Sequence, residues 1–243
     1  MTAPQNSATR ARYNPPQFAD QMLLEHLIHE SGRDLGSEKQ LNLLRGSGKA
    51  THVYIVGNYR LLDRPTVSIV GTREVSPAGR IRASRLAREL ASTDVVVMSG
   101  LAKGVDTAAL TAAIQANGHV AAVIGTPLEQ AYPKENANLQ EEIYNNHVLI
   151  SPFANGEAVY KGNFPKRNRV MAALSDATVI VEASDTSGTL HQAAECQRLG
   201  RWLFIMKSVV DDNSLNWPAK FIGKPKTAVL TRTLDLIEAI QHG

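Results

Sequence analysis

The segment KGNFPKRNRVMAAL, residues 161–174, sets Lys161, Lys166, Arg167 and Arg169 around a proline that reads as a helix start. Proline suits the first helical position, so a helix is expected to begin at Pro165. Cations are poorly placed at that end, because the helix dipole is positive there. A bound anion removes the conflict, since the helix end and the side-chain cations can hold it together. Phe164 adds an aromatic ring beside the cations. That pairing suits single-stranded nucleic acid, where bases stack and phosphates pair. Two plainer readings stay open: Phe164 as a hydrophobic staple over the helix start, and Arg167 or Arg169 paired with an internal acid such as Asp176 or Glu182.

Other residues suited to anions fall at the ends of apolar runs. VSIVG (67–71) leads into Gly71-Thr72-Arg73, and DVVVMSG (94–100) into Ser99-Gly100-Leu101-Ala102-Lys103-Gly104. HVAAVIG (119–125) ends on Gly125-Thr126, and ATVIVEA (177–183) leads into Ser184-Asp185-Thr186-Ser187-Gly188-Thr189. Glycine lets a backbone approach a ligand closely, although tight turns use the same residue types for shape alone. Asp106, just past the second loop, reads as a brace for that loop or a cap for the next helix.

These runs require elements to hold them. HVLISPF (147–153) and WLFIM (202–206) complete the set, and helical stretches lie between them at 77–91, 104–116, 138–145 and 187–199. Short β-branched runs alternating with helices predict βαβ units. The expected fold is a doubly wound, mostly parallel Rossmann-like α/β sheet with helices on both faces. Ligands of such sheets bind at the carboxyl ends of the strands, so all these loops should share one edge. Residues 161–174 follow the fourth run and belong to that edge. Beyond Met206, DDNSLN reads as a loop, KTAVL as a further strand and Leu234–Gln241 as a last helix.

At the other end, residues 1–17 read as a flexible tail, and Phe18–Glu30 as a helix. A Gly/Ser-rich connector then runs through Gly48, and HVYIVGN (52–58) reads as a strand. The expected division is residues 1–50 as tail plus short helical extension, and 51–243 as the core domain. At 43% hydrophobic and 20% charged residues the chain can bury a real core. A net charge of +3 is too weak by itself to indicate nucleic acid. The arginines from Arg80 to Arg88 read as a solvated helix face.

Several chemistries lack their residues. Gly71 is followed by TREVSPAG, not by a G-x-G-x-x-G turn, and there is no P-loop. Seven histidines are scattered, and His26 and His29 have no third ligand nearby. Cys196 is the single cysteine, which excludes an intramolecular disulfide and a thiolate zinc site. Neither a metal nor a cofactor is expected. No stretch reaches the ~18 apolar residues of a membrane span, and residues 1–17 lack the apolar segment of a signal peptide. A cytoplasmic protein is expected.

IVGTR, SGLAKGVDTAA, VIGTPLEQAYPKEN, GNFPKRNRVMAALS and VIVEASDTSGTLHQAAE, in this order, resemble the Rossmann-like core of the DprA/Smf family of bacterial DNA-processing proteins. The resemblance runs from about His52 to Met206. It implies sequence-independent binding of single-stranded DNA, a homodimer, and delivery of the strand to the RecA recombinase. It assigns Arg73, Lys161, Asn163, Phe164, Lys166, Arg167 and Arg169 to the DNA pocket. Ser99, Gly100 and Lys103 match the family's second loop, and Gly188 and Thr189 its loop after the fifth strand. The chain departs from the pattern in three places. One clear helix precedes the core, so the family's SAM-like domain is expected to be missing or reduced. The family's C-terminal winged-helix-like domain is likewise expected to be missing. MKSVVDDNSLNWP stands where the family continues with Pro-Gly and a Ser/Gly/Asn-rich loop.

A non-enzymatic strand binder is therefore expected. One alternative is an enzyme similar to the nucleoside-monophosphate phosphoribohydrolases, whose turn carries a catalytic Glu. Gln192 occupies that position here and cannot act as a carboxylate base, and Glu195 lies a turn too late. A sensor of a small nucleotide such as an ADP-ribose derivative is the other.

Overall fold

The computed structural model describes residues 13–33 and 51–242. The expected tail before residue 13 and the connector at 34–48 lie outside the described residues. Nine strands form one sheet among the described residues: β1 (Asp20–Leu23), β2 (His52–Gly57), β3 (Thr66–Gly71), β4 (Val96–Ser99), β5 (Val120–Val123), β6 (Val148–Ser151), β7 (Ala177–Glu182), β8 (Trp202–Met206) and β9 (Thr227–Leu230). Their order is β1-β2-β6-β5-β4-β3-β7-β8-β9. The span from β6 to β9 is parallel throughout, while β2 joins β6, and β1 joins β2, antiparallel. The expected α/β fold is therefore present, extended by an antiparallel edge.

Side-chain alternation along the strands builds two apolar layers. Met98, Val123, Ile150, Ile180, Leu203 and Ile205 point to one face. That face is covered by α1 (Leu24–Glu30), α5 (Asn163–Ala173) and α6 (Thr189–Arg198). Ile69, Val97, Ala122, Val179 and Phe204 point to the other. There they meet α2 (Pro77–Ala91), α3 (Val105–Gln115), α4 (Ala137–Asn146) and α8 (Thr233–His242). A short α7 (Lys207–Val210) follows β8. Cys196 is buried, and burial pushes its thiol up to about 12, so it is an unreactive core group.

Phe18–Glu30 departs from the all-helix expectation. Asp20–Leu23 pairs as a strand with β2, and only Leu24–Glu30 is helical. Gln21, Met22 and Leu23 are good helix formers, but tertiary context overrides propensity, and the open edge of β2 offers backbone partners, so pairing wins. Residues 13 and 14, expected as flexible tail, are held. Tyr13 donates to the Leu128 carbonyl at 2.7 Å and accepts from Gln140 Nε2 at 2.8 Å, and Tyr144 donates to the Asn14 carbonyl at 2.6 Å. The unusual segment after Met206 is anchored by Trp217, which is fully buried and donates through Nε1 to the Ala183 carbonyl at 2.9 Å.

His147, buried at the foot of β6, faces His119 with ring centroids 6.3 Å apart. Burial pushes its imidazole below the usual range, with His119 adding and Glu142 opposing. The unfolded chain therefore takes up this proton first. The stability involved is present above the unfolded histidine pKa of about 6.5 and is lost as pH falls through it. Melting curves between about pH 7.5 and 5.5 are expected to show a smaller loss for His147→Gln than for the wild type. Equal losses would exclude His147 as the cause.

Candidate nucleic-acid interface

The parallel strands turn in opposite directions from β3, with β4, β5 and β6 on one side and β7, β8 and β9 on the other. The gap beyond the carboxyl ends of β3 and β7 is thus the topological switch point, where doubly wound folds bind ligands. A crevice with a cavity volume of about 360 Å³ opens there. The turn Gly71-Thr72-Arg73, the second loop with Ala102 and Asp106, α5, and the Ser184–Thr189 loop line it.

Close backbone packing shapes these turns. Gly104 has φ +82°, and a Cβ there would lie 2.4 Å from the Thr72 carbonyl oxygen and 2.5 Å from that of Arg73. Only glycine lets the two loops meet in this way. Asp106, 4% exposed, accepts from the N–H groups of Gly100 and Ala102 at 3.1 and 3.2 Å. Burial pushes its carboxyl up, while Arg167, Ala102, Ser99 and Gly100 pull it back down. Asp106 is thus the loop brace its position suggested. Asn136, from the AYPKEN motif, donates to the Leu101 carbonyl and to Thr107 Oγ1, both at 2.9 Å, and holds the same loop from outside.

Phe164 stands at the rim, half-buried. Its ring seats on Gly125, where a Cβ would come 2.8 Å from Cδ1. Tyr132 packs against it with centroids 5.7 Å apart, and the exposed Arg73 lays its guanidinium carbon 5.3 Å from the ring centroid. A smaller hollow of about 50 Å³ lies on the far side, lined by Arg73, Gly100, Lys103, Gly125, Tyr132 and Phe164. The ring is thus packed on Gly125 and Tyr132, with Arg73 over it, and stays half-exposed.

The sequence candidates are distributed unevenly. Arg73, Gly100, Lys103, Phe164 and Arg167 line the hollow, and Gly188 and Thr189 line the crevice. Lys103 is drawn outward to Glu135 at 2.7 Å, an exposed pair that a phosphate can compete for. Lys161 and Lys166 are exposed on the rim and line neither space. Ser99 is buried and donates to the Ile69 carbonyl at 2.7 Å, a structural contact. Asn163 is buried as the first residue of α5. Arg169 turns to Glu195 on α6 at 3.7 Å.

Arg167 is 6% exposed and donates from Nη1 to the Val123 carbonyl at 3.0 Å. Its guanidinium fills the space beside Gly100, where a Cβ would lie 1.4 Å from Nη1. Burial pushes this guanidinium below its usual range, Asp106 opposes that, and the Arg73 charge adds to it. Neither acid named from the sequence meets α5. Asp176 pairs with Arg33 at 2.6 Å, and Glu182 with Arg82 at 3.5 Å. The helix start also moves, since α5 begins at Asn163 and Pro165 is its third residue. Proline fits there because the first turn has no intrahelical partner for its N–H.

Glu74, Tyr132 and Gln192 are among the residues of the site that escaped the sequence reading. Tyr132 lay inside the AYPKEN loop, and an aromatic just after a strand end was the available signal. Gln192 drew notice only as a missing carboxylate. Among the described residues no three His, Cys, Asp or Glu side chains gather closely enough to hold a metal ion. No helix among them is long and apolar enough to cross a membrane.

A DNA processing protein DprA from Streptococcus pneumoniae is 39% identical over 160 residues, covering 66% of this chain and 56% of the relative. The chain spans about half the length of the curated relatives it matches. The solved S. pneumoniae DprA superposes with a TM-score of 0.69 at 34% identity, over 77% of this chain and 65% of that one. DNA processing protein A from Helicobacter pylori, described as having a unique single-stranded DNA binding mode, gives a TM-score of 0.69 at 30% identity, over 78% of this chain and 86% of that one. A sequence model of the DNA recombination-mediator protein A family matches residues 39–241, a span that holds every turn and both aromatic rings of the rim. The chain belongs to that family.

Proposed function

We propose that this protein binds single-stranded DNA along the carboxyl edge of its sheet, without base preference, and passes the strand to a RecA-type recombinase during DNA uptake or recombination. It acts as a homodimer in the cytoplasm and as a binder, not a catalyst. The observation that carries the reading is the Arg73 guanidinium set 5.3 Å from the Phe164 ring centroid. A cation able to take a phosphate lies over the ring of a side chain able to stack a base, and the two form a small unit of strand recognition. Lys103, Lys161 and Lys166 extend the cationic rim along the same edge.

The recombinase step rests on the family, which is described as a recombination mediator. The dimer rests on the resemblance to the family. The binder reading has support from position 192, which carries an amide, and from Glu195, which is engaged by Arg169 and Arg198.

A gel-shift series with oligo-dT, duplex and mononucleotide competitors tests the proposal. Oligo-dT is expected to bind in preference to duplex. Arg73→Ala and Lys161→Ala should each weaken binding, and each lost phosphate contact should take about 0.7 off the slope of log affinity against log salt. Absence of binding at low salt would refute strand recognition.

A further inference from the structure

The switch-point crevice has features that a chain of phosphates does not ask for. Gln192, the fourth residue of α6, is 1% exposed and lines it. Its Nε2 donates to Thr178 Oγ1 at 3.3 Å, but its buried Oε1 accepts no hydrogen bond. Buried acceptors are rarely left unpaired, so this oxygen calls for a donor inside the crevice. The same walls carry Glu74 and Asp106. Carboxylates repel a polyanion, yet they accept well from sugar hydroxyls. Around them stand Arg73, the hydroxyl-bearing Ser184, Ser187 and Thr189, and the Phe164 ring.

Few ligands need all of these groups together. A phosphate suits Arg73 and the hydroxyls. Hydroxyl donors suit Gln192 Oε1 and Glu74. A flat base suits Phe164. The cavity of about 360 Å³ falls within the usual range of small-ligand sites. We infer that the crevice is also a binding site for a free nucleoside 5′-monophosphate of the ribose series, overlapping the strand site at Arg73 and Phe164. The nucleotide uses Arg73 and Phe164, which the strand also needs, so its occupancy lowers the affinity for DNA. The site thus makes strand binding responsive to the nucleotide pool.

Calorimetric titration of the full chain with AMP, 2′-deoxy-AMP and inorganic phosphate tests this. AMP should saturate one site and bind more tightly than either of the others. Gln192→Leu should weaken AMP about tenfold, the usual cost of losing one buried hydrogen bond. AMP should displace oligo-dT from the wild type and far less from the variant. No AMP binding by the wild type at millimolar concentration overturns the inference, and so does unchanged AMP affinity in Gln192→Leu. Should that variant fail to fold, the exposed Glu74→Gln decides. It should reduce the preference of AMP over 2′-deoxy-AMP, and an unchanged preference overturns the ribose site. A failure of oligo-dT to bind would refute the strand reading alone, since the AMP titration is read without DNA.

Discussion

Phe164→Ala is expected to weaken oligo-dT binding by about 1–3 kcal/mol, the range for one base stacked on an aromatic side chain. The loss should be nearly independent of base sequence, because every base has a π-face. It should also change the salt slope little, because the ring touches no phosphate. The Arg73 guanidinium rests beside the same ring and loses its support, so the fall should lie at the upper end of the range. The ring also packs on Gly125 and Tyr132, and the alanine variant is therefore expected to melt earlier. Phe164→Leu separates the two roles. Leucine keeps most of the packing on Gly125 but offers no stacking face. Gel shifts on Phe164→Leu should show most of the alanine defect with a nearly normal melting temperature. If Phe164→Leu binds as the wild type does, the ring is only a staple.

Arg167→Leu is expected to cost about 1–3 kcal/mol of folding stability, the range for leaving a buried acceptor unsatisfied. Its guanidinium is the cation that offsets the buried Asp106 carboxylate, and it also satisfies the Val123 carbonyl. In the variant the Arg167 charge no longer opposes burial, while the Ala102, Ser99 and Gly100 hydrogen bonds still do, so the Asp106 pKa rises further above the unfolded value. A raised carboxyl pKa makes the penalty absent below the unfolded pKa, about 3.9, and largest once pH exceeds the folded one. The deficit relative to wild type, read by urea unfolding, should therefore shrink as pH falls from about 7 to 5. Adding Asp106→Asn to Arg167→Leu removes the uncompensated charge, so the double variant should recover part of the loss as a coupling energy. A single variant within about 0.5 kcal/mol of wild type would mean that Arg167 behaves as a surface residue.

Much of this interface was legible before any coordinates. Runs such as VSIVG and ATVIVEA are hydrophobic on both faces and end in Gly, Ser or Thr. That pattern sets parallel strands and brings their loops to one edge. Arg73, Gly100, Lys103 and Phe164 follow such ends, and the fold brings them around one hollow. The segment Asp20–Leu23 misled, because a four-residue edge strand is set by its partner β2, and not by a period of its own.

The amino-acid sequence by itself determined the βαβ order, the edge where ligands bind, and the glycine turns that let backbones meet there. These follow from period-two burial, backbone sterics and chain connectivity, all of which act over a few residues. Only the tertiary structure decided what the cations of KGNFPKRNR do. Lys161 and Lys166 are on the rim, Arg167 is inside above Gly100, and Arg169 is turned to Glu195. It also decided that Gln192 Oε1 is left without a donor. The reason is that a helix period fixes which residues share a face but not what docks against it. Asp106, Glu195 and Thr178 come from other elements, and their distance to each side chain is set by how α5 and α6 seat on the sheet.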